Sequence, residues 1–67
     1  MTLEQLRIRA GLTQEQLAEK VGVNRITISN WENGTQPRIQ FIRPLADALG
    51  VSTADVYDAI QKSLDKK

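Results

Sequence analysis

Between Thr13 and Trp31 lie two short stretches of helical periodicity, separated only by Gly22-Val23-Asn24. No other feature of the chain constrains its fold so tightly. In the first stretch Leu17, Ala18 and Val21 fall at i, i+1 and i+4, one narrow apolar stripe. Thr13, with Gln16 three residues on, carries the signature of a capping box at its start. Gly22 ends it where the backbone turns left-handed, a shape glycine takes without steric cost. Val23 tucks the corner into the core, and Asn24 is a good N-cap for the second stretch. There Ile28 and Trp31, three apart, face inward. That leaves Arg25, Ile26, Thr27, Ser29 and Asn30 mostly outward.

An outward helix face carrying Arg, Asn, Ser and Thr beside an isoleucine suits a base edge better than a core. The two stretches read as a helix-turn-helix over residues 13–32. An α-helix fits the major groove, and in such motifs the N-terminal part of the second helix meets the bases. Arg25, Ile26 and Asn30 are therefore the candidate base readers, with Thr27 and Ser29 near the backbone or the groove wall. Arg25 can fork to guanine O6 and N7, Asn30 can pair with adenine N6 and N7, and Ile26 can pack on a thymine methyl. Three plainer readings stand beside these: Arg25 on phosphate alone, Ile26 half-buried, and Asn30 merely solvated. Gln14 opens the preceding helix, whose free amides and positive dipole end favour a phosphate; the alternative is an ordinary exposed residue. Trp31 can in principle stack a base, but beside Ile28 it is read as core.

The flanking segments supply the remaining walls of a core. Residues 2–10 read as a first helix, with Thr2 and Gln5 as its capping box and Leu3, Leu6 and Ala10 as its buried stripe. After Trp31, Asn33-Gly34-Thr35-Gln36-Pro37 gives a turn, with Gly34 as the C-cap, and Arg38, Ile39 and Gln40 are expected to be extended. Ile42, Leu45, Ala46 and Leu49 have helical spacing, yet Pro44 lies among them. Proline is tolerated only in a first turn, where amides have no intrahelical partner, so this fourth helix is predicted to start at Phe41 or Ile42 and to end at Gly50. Ser52 caps a fifth helix with Asp55 in its first turn. Along it Val56, Ile60 and Leu64 recur at i, i+4 and i+8, with Tyr57 beside them. These four form either a dimer surface or a cap on the core. Residues 62–67 are charged and are expected to fray.

The chain resembles the phage repressor and Cro type of helix-turn-helix regulators. The resemblance is carried by Thr13-Gln14-Glu15-Gln16-Leu17-Ala18, Val21-Gly22-Val23, Ile28-Ser29-Asn30-Trp31-Glu32-Asn33-Gly34 and Leu45-Ala46-Asp47-Ala48-Leu49-Gly50-Val51-Ser52, in the family's order and spacing. It implies an all-α, compact five-helix, lambda-repressor-like domain over residues 1–67. It also implies base contacts at Arg25, Ile26 and Asn30. Backbone contacts are implied for Gln14, Asn33, Thr35, Arg38 and Gln40, with Arg43 joining them or only solvating its helix; Asn24, Thr27 and Ser29 are backbone candidates from their place at the start and on the outward side of the second helix. A structural ion pair between Arg7 and Glu32 is implied, against the alternative of a plain exposed charge at Arg7. In the family the segment matching Val56 and Tyr57 lies near the subunit contact. The partner implied is double-stranded DNA carrying a near-palindromic operator, bound by a homodimer.

Charge agrees with this placement. The net charge is only +1, but residues 1–43 carry six Lys or Arg against four Glu, and residues 44–67 carry three Lys against four Asp. Between Lys20 and Arg43 only Glu32 opposes four cations, so the basic surface gathers around the helix-turn-helix. There is no cysteine or histidine, which removes disulfides, the common zinc ligands, and the usual bases and nucleophiles. Asp55 and Asp58 read as a solvated face, so no enzyme, cofactor or metal is expected. No apolar run reaches the roughly 20 residues of a membrane span, and no signal pattern opens the chain, so a soluble cytoplasmic protein is expected. The reading is a sequence-specific DNA-binding regulator of the repressor type. The alternative is an antitoxin or anti-repressor module that uses the helix 5 face on a protein partner.

Overall fold

Caps and stops divide the chain where the sequence places them. The computed structural model describes residues 1–64, and its helices are α1 (Leu3–Arg9), α2 (Gln14–Val21), α3 (Arg25–Glu32), α4 (Ile42–Leu49) and α5 (Thr53–Leu64). Among the described residues the fold is all-α, with five helices. Thr2 and Thr13 each close a full capping box with Gln5 and Gln16. Asn24 caps α3 by accepting from the Thr27 amide at 2.8 Å. Ser52 and Asp55 exchange the same reciprocal bonds at the start of α5. A cap of this kind contributes about 1 kcal/mol, enough to fix where a short helix begins.

Gly22 is the C-cap of α2 at φ 90°, and Gly50 is the C-cap of α4 at φ 70°. The space around a Cβ at either position is open, so it is the left-handed backbone, not crowding, that favours glycine there. Pro44 is the third residue of α4, inside its first turn, as its missing amide requires.

The core draws on every helix. Leu3 and Leu6 of α1 meet Leu17 and Ala18 of α2, Ile28 and Trp31 of α3, Ile42, Leu45, Ala46 and Leu49 of α4, and Val56, Ala59 and Ile60 of α5. Leu12, Val21, Val23, Phe41, Val51 and Leu64 pack around its margin. The Trp31 and Phe41 rings lie 5.3 Å apart at 48°, which ties α3 to the start of α4. Helix α2 packs on both α3 and α4, while α5 lies against α1 and α4.

Several expectations are corrected. Ala10 is exposed, because α1 stops at Arg9 and Ala10 is its C-cap. Asn33, not Gly34, is the C-cap of α3; Gly34 follows it at φ 110° and is buried. Residues 39–41 form a 3₁₀ turn instead of an extended approach. The turn leads directly into α4, whose first residue, Ile42, is buried in the core.

The largest correction concerns α5. Val56 and Ile60, read as a candidate dimer surface, are 0% and 3% exposed within the single chain, and Leu64 is half-buried. Four short helices leave one side of the core open, and the apolar stripe of α5 closes it. Of that set only Tyr57 is exposed. Lys62, Ser63 and Leu64, expected to fray, form the last turn of α5, where Ser63 is buried and its Oγ accepts from the Leu3 amide at 3.1 Å. The rest of the expected frayed tail, residues 65–67, lies outside the described residues.

Candidate nucleic-acid interface

Helix α3 has one buried side and one free side. Ile28 and Trp31 are 0% and 5% exposed and hold the helix to the core. Arg25, Ile26 and Asn30 are all exposed, Ile26 by 62%. The structure thus leaves the three sequence-predicted base readers exposed on one helix that the core holds by its other side. Neither a half-buried Ile26 nor a base-stacking Trp31 fits these burials.

Around α3 several predicted backbone residues already have intramolecular partners, which limits what each can offer. Asn24 Oδ1 accepts from both the amide and the hydroxyl of Thr27, at 2.8 and 3.0 Å. A phosphate accepts only, so in this arrangement Asn24 has its Nδ2 protons to give and Thr27 has no free hydroxyl proton. Asn33 Nδ2 donates to the Ser29 carbonyl at 2.8 Å and reaches the Ser29 Oγ at 3.5 Å. Thr35, Arg38 and Gln40 are exposed along the loop and 3₁₀ turn after α3. Arg43 is exposed on α4, with its Nε 4.0 Å from the Asp47 carboxylate.

Glu32 is the feature the sequence shows least. It is 3% exposed, the one buried acidic side chain among the described residues. Arg7 Nε donates to its Oε2 at 2.6 Å, and Arg7 Nη2 reaches Oε1 at 3.5 Å. Arg7 Nη1 continues to the Leu12 carbonyl at 2.8 Å. Gln14 Nε2 donates to Glu32 Oε1 at 2.9 Å. The resemblance predicts the Arg7–Glu32 pair; neither Gln14 nor Leu12 is anticipated as a member of the same network. The only available signal was that Glu32 follows Trp31 on a helix whose next inward turn must meet α1 and α2.

This network has an electrostatic consequence. Glu32 is the sole acidic residue between Lys20 and Arg43, and it is both buried and neutralised by Arg7. The exposed charges of that stretch, on Lys20, Arg25, Arg38 and Arg43, are therefore all positive. Exposed cations on and after an accessible polar helix face suit the phosphates that border a duplex groove; exposed acids stand at the ends of the stretch, Glu19 beside Lys20 and Asp47 beside Arg43. No group of His, Cys, Asp or Glu among the described residues could hold a metal ion. No described helix is long and apolar enough to cross a membrane.

Residues 3–56 match the family described as helix-turn-helix. The chain is 32% identical over 66 residues to the cryptic phage CTXphi transcriptional repressor RstR of Vibrio cholerae, covering 97% of this chain and 60% of that protein. It is 59% identical over 32 residues to the HTH-type transcriptional activator BcrR of Enterococcus faecalis, covering 48% of this chain and 16% of that one. The chain thus spans less than two thirds of the length of either relative. By the extent of the family match, which takes in α1 to α4 and the beginning of α5, the chain belongs to the helix-turn-helix family.

Proposed function

We propose that this chain is a sequence-specific double-stranded DNA-binding transcriptional regulator of the repressor type, reading the major groove with α3. The observation that carries the reading is the pairing of two faces on α3. Ile28 and Trp31 lock it, while Arg25, Ile26 and Asn30 stand exposed in a stretch, Lys20 to Arg43, that carries four exposed cations and no exposed acid. Similarity to a transcriptional repressor over nearly the whole chain supports the repressor assignment. The cytoplasm, where DNA is met, is the compartment this reading implies.

In this role Arg25, Ile26 and Asn30 read base edges. Gln14, Asn24, Ser29, Asn33, Thr35, Arg38, Gln40 and Arg43 fix register on phosphates without reading sequence. Thr27 joins them only if its hydroxyl leaves Asn24. One domain covers few base pairs, so a homodimer on a near-palindromic operator, with half-sites about 34–36 Å apart, accounts best for specificity. Val56 and Ile60 are buried in the core, so the apolar part of the α5 face left for a dimer or for a protein partner is Tyr57 with the half-buried Leu64.

Selection of ligands from a random duplex pool tests the proposal. Enrichment of one two-part site, still preferred over random duplex at physiological salt, is the expected result. Binding without sequence preference that disappears as salt rises contradicts it.

A further inference from the structure

Gln14 is placed where its amide must be oriented to be of use. A phosphate only accepts protons, so a glutamine that meets one must present Nε2 and not Oε1. A free glutamine side chain turns either end outward at little cost. Gln14 is not free: its Nε2 donates to Glu32 Oε1 at 2.9 Å. A carboxylate likewise only accepts, so this bond fixes which end of the amide is nitrogen. One Nε2 proton is taken by Glu32. The second has no partner among the described residues, and Gln14 is only half-buried.

Glu32 itself is held in place. Arg7 binds it through Nε at 2.6 Å and Nη2 at 3.5 Å, and the same guanidinium is fixed to the Leu12 carbonyl at 2.8 Å. The carboxylate thus sits at the junction of α1, α2 and α3, with an oxygen committed to each neighbour.

We propose that Glu32 is a positioning residue for DNA binding: held by Arg7, it orients the Gln14 carboxamide so that the second Nε2 proton is offered to a backbone phosphate. This rests on the reading of the chain as a DNA-binding module. It assigns the buried acid a part in binding beyond its part in stability. It also separates positioning from simple charge. Removing a negative charge near the DNA face should tighten binding on electrostatic grounds; loss of positioning loosens it.

The test compares the wild type, Gln14→Ala, Glu32→Gln and the double variant on the duplex enriched by selection. The active fraction of each is first fixed by stoichiometric titration, so that unfolding is not read as weak binding. Gln14→Ala is expected to lose about tenfold in affinity, the scale of one hydrogen bond to a charged group. Glu32→Gln is expected to lose a similar factor despite its gain of positive charge, and the double variant to lose no more than either single one. The salt dependence should stay unchanged in all of them, since no cation that displaces counterions is removed. Unchanged or tighter binding by Glu32→Gln, or losses that simply multiply in the double variant, overturns the proposal.

Should Glu32→Gln fail to fold, side-chain amide NMR of the wild type decides. The Nε2 proton of Gln14 that Glu32 accepts is expected to exchange with water more slowly than that of an exposed glutamine, and to keep this protection when the duplex is added. Exchange as fast as in an exposed glutamine, or loss of the protection on binding, contradicts it. A wild type that prefers no duplex sequence removes the DNA-binding reading itself, and the first titration reveals that before any variant is made.

Discussion

Arg7 Nε and Glu32 Oε2 lie 2.6 Å apart, with side chains only 12% and 4% exposed, and they join the first helix to the end of the third. A pair so removed from water is weak evidence of net stability, because desolvation offsets much of the attraction. It is strong evidence of what happens when one partner is removed. Arg7→Ala leaves a buried carboxylate with only Gln14 to satisfy it and should destabilise the fold by about 3–5 kcal/mol in urea unfolding. Replacing both, as Arg7→Met with Glu32→Leu, should recover most of that loss. A loss below about 1 kcal/mol for Arg7→Ala, the range of surface pairs, would mean that the pair is not buried in solution.

Helix α5 makes a second prediction, about the core. Ile60→Ala should cost about 2–5 kcal/mol, as expected for a buried aliphatic residue, with no change in oligomeric state. Tyr57→Ala, at an exposed position on the same helix, should stay within about 0.5 kcal/mol. Thermal melts with sedimentation at several concentrations check both. If Ile60→Ala left stability intact but broke a dimer, α5 would be an interface after all.

Ser63 anchors the last turn of α5 to the first residue of α1. Ser63→Ala leaves the buried Leu3 amide without its acceptor and should cost about 1–3 kcal/mol. Hydrogen exchange at that amide should accelerate relative to the remainder of α1. Equal protection in both proteins would show that the contact does not persist.

The reading face should separate function from stability. Arg25→Ala and Asn30→Ala should each lower preference for the selected site by about 1–3 kcal/mol of discrimination. Both should leave unfolding within about 0.5 kcal/mol of wild type, since both side chains are exposed. Arg38→Ala, by contrast, should weaken all duplexes alike and lower the salt slope by about one. A uniform loss for Arg25→Ala as well would reduce it to a phosphate contact.

What the sequence reveals and what it hides have separate physical causes. Caps and stops are local, so Thr13 with Gln16, Gly22, Asn24 and Ser52 mark helix ends from a few residues alone; α2 begins and ends, and α3 begins, where predicted. Pro44 placed the start of α4 for the same reason. Burial is not local. Val56, Tyr57 and Ile60 read as one surface until the other helices are in place; only then does the stripe point into the gap between α1 and α4. Glu32 is a further case. Apart from its place after Trp31, nothing in its neighbours marks it as buried, because its partners are 25 and 18 residues away. On the reading face, Arg25, Ile26 and Asn30 are legible as exposed because Ile28 and Trp31 fix the phase of the helix. The hydrogen bond that ties up the Thr27 hydroxyl depends on side-chain rotamers and is not.

Selection from a random duplex pool, followed by affinity for the enriched site at several salt concentrations, tests the central claim most directly. The account predicts a two-part near-palindrome with half-sites about one helical turn apart, preferred over random duplex at physiological salt. It also predicts that Arg25→Ala and Asn30→Ala erase that preference at defined base positions. A pool that yields no common site, with binding that falls away as salt rises and is indifferent to both substitutions, would contradict it.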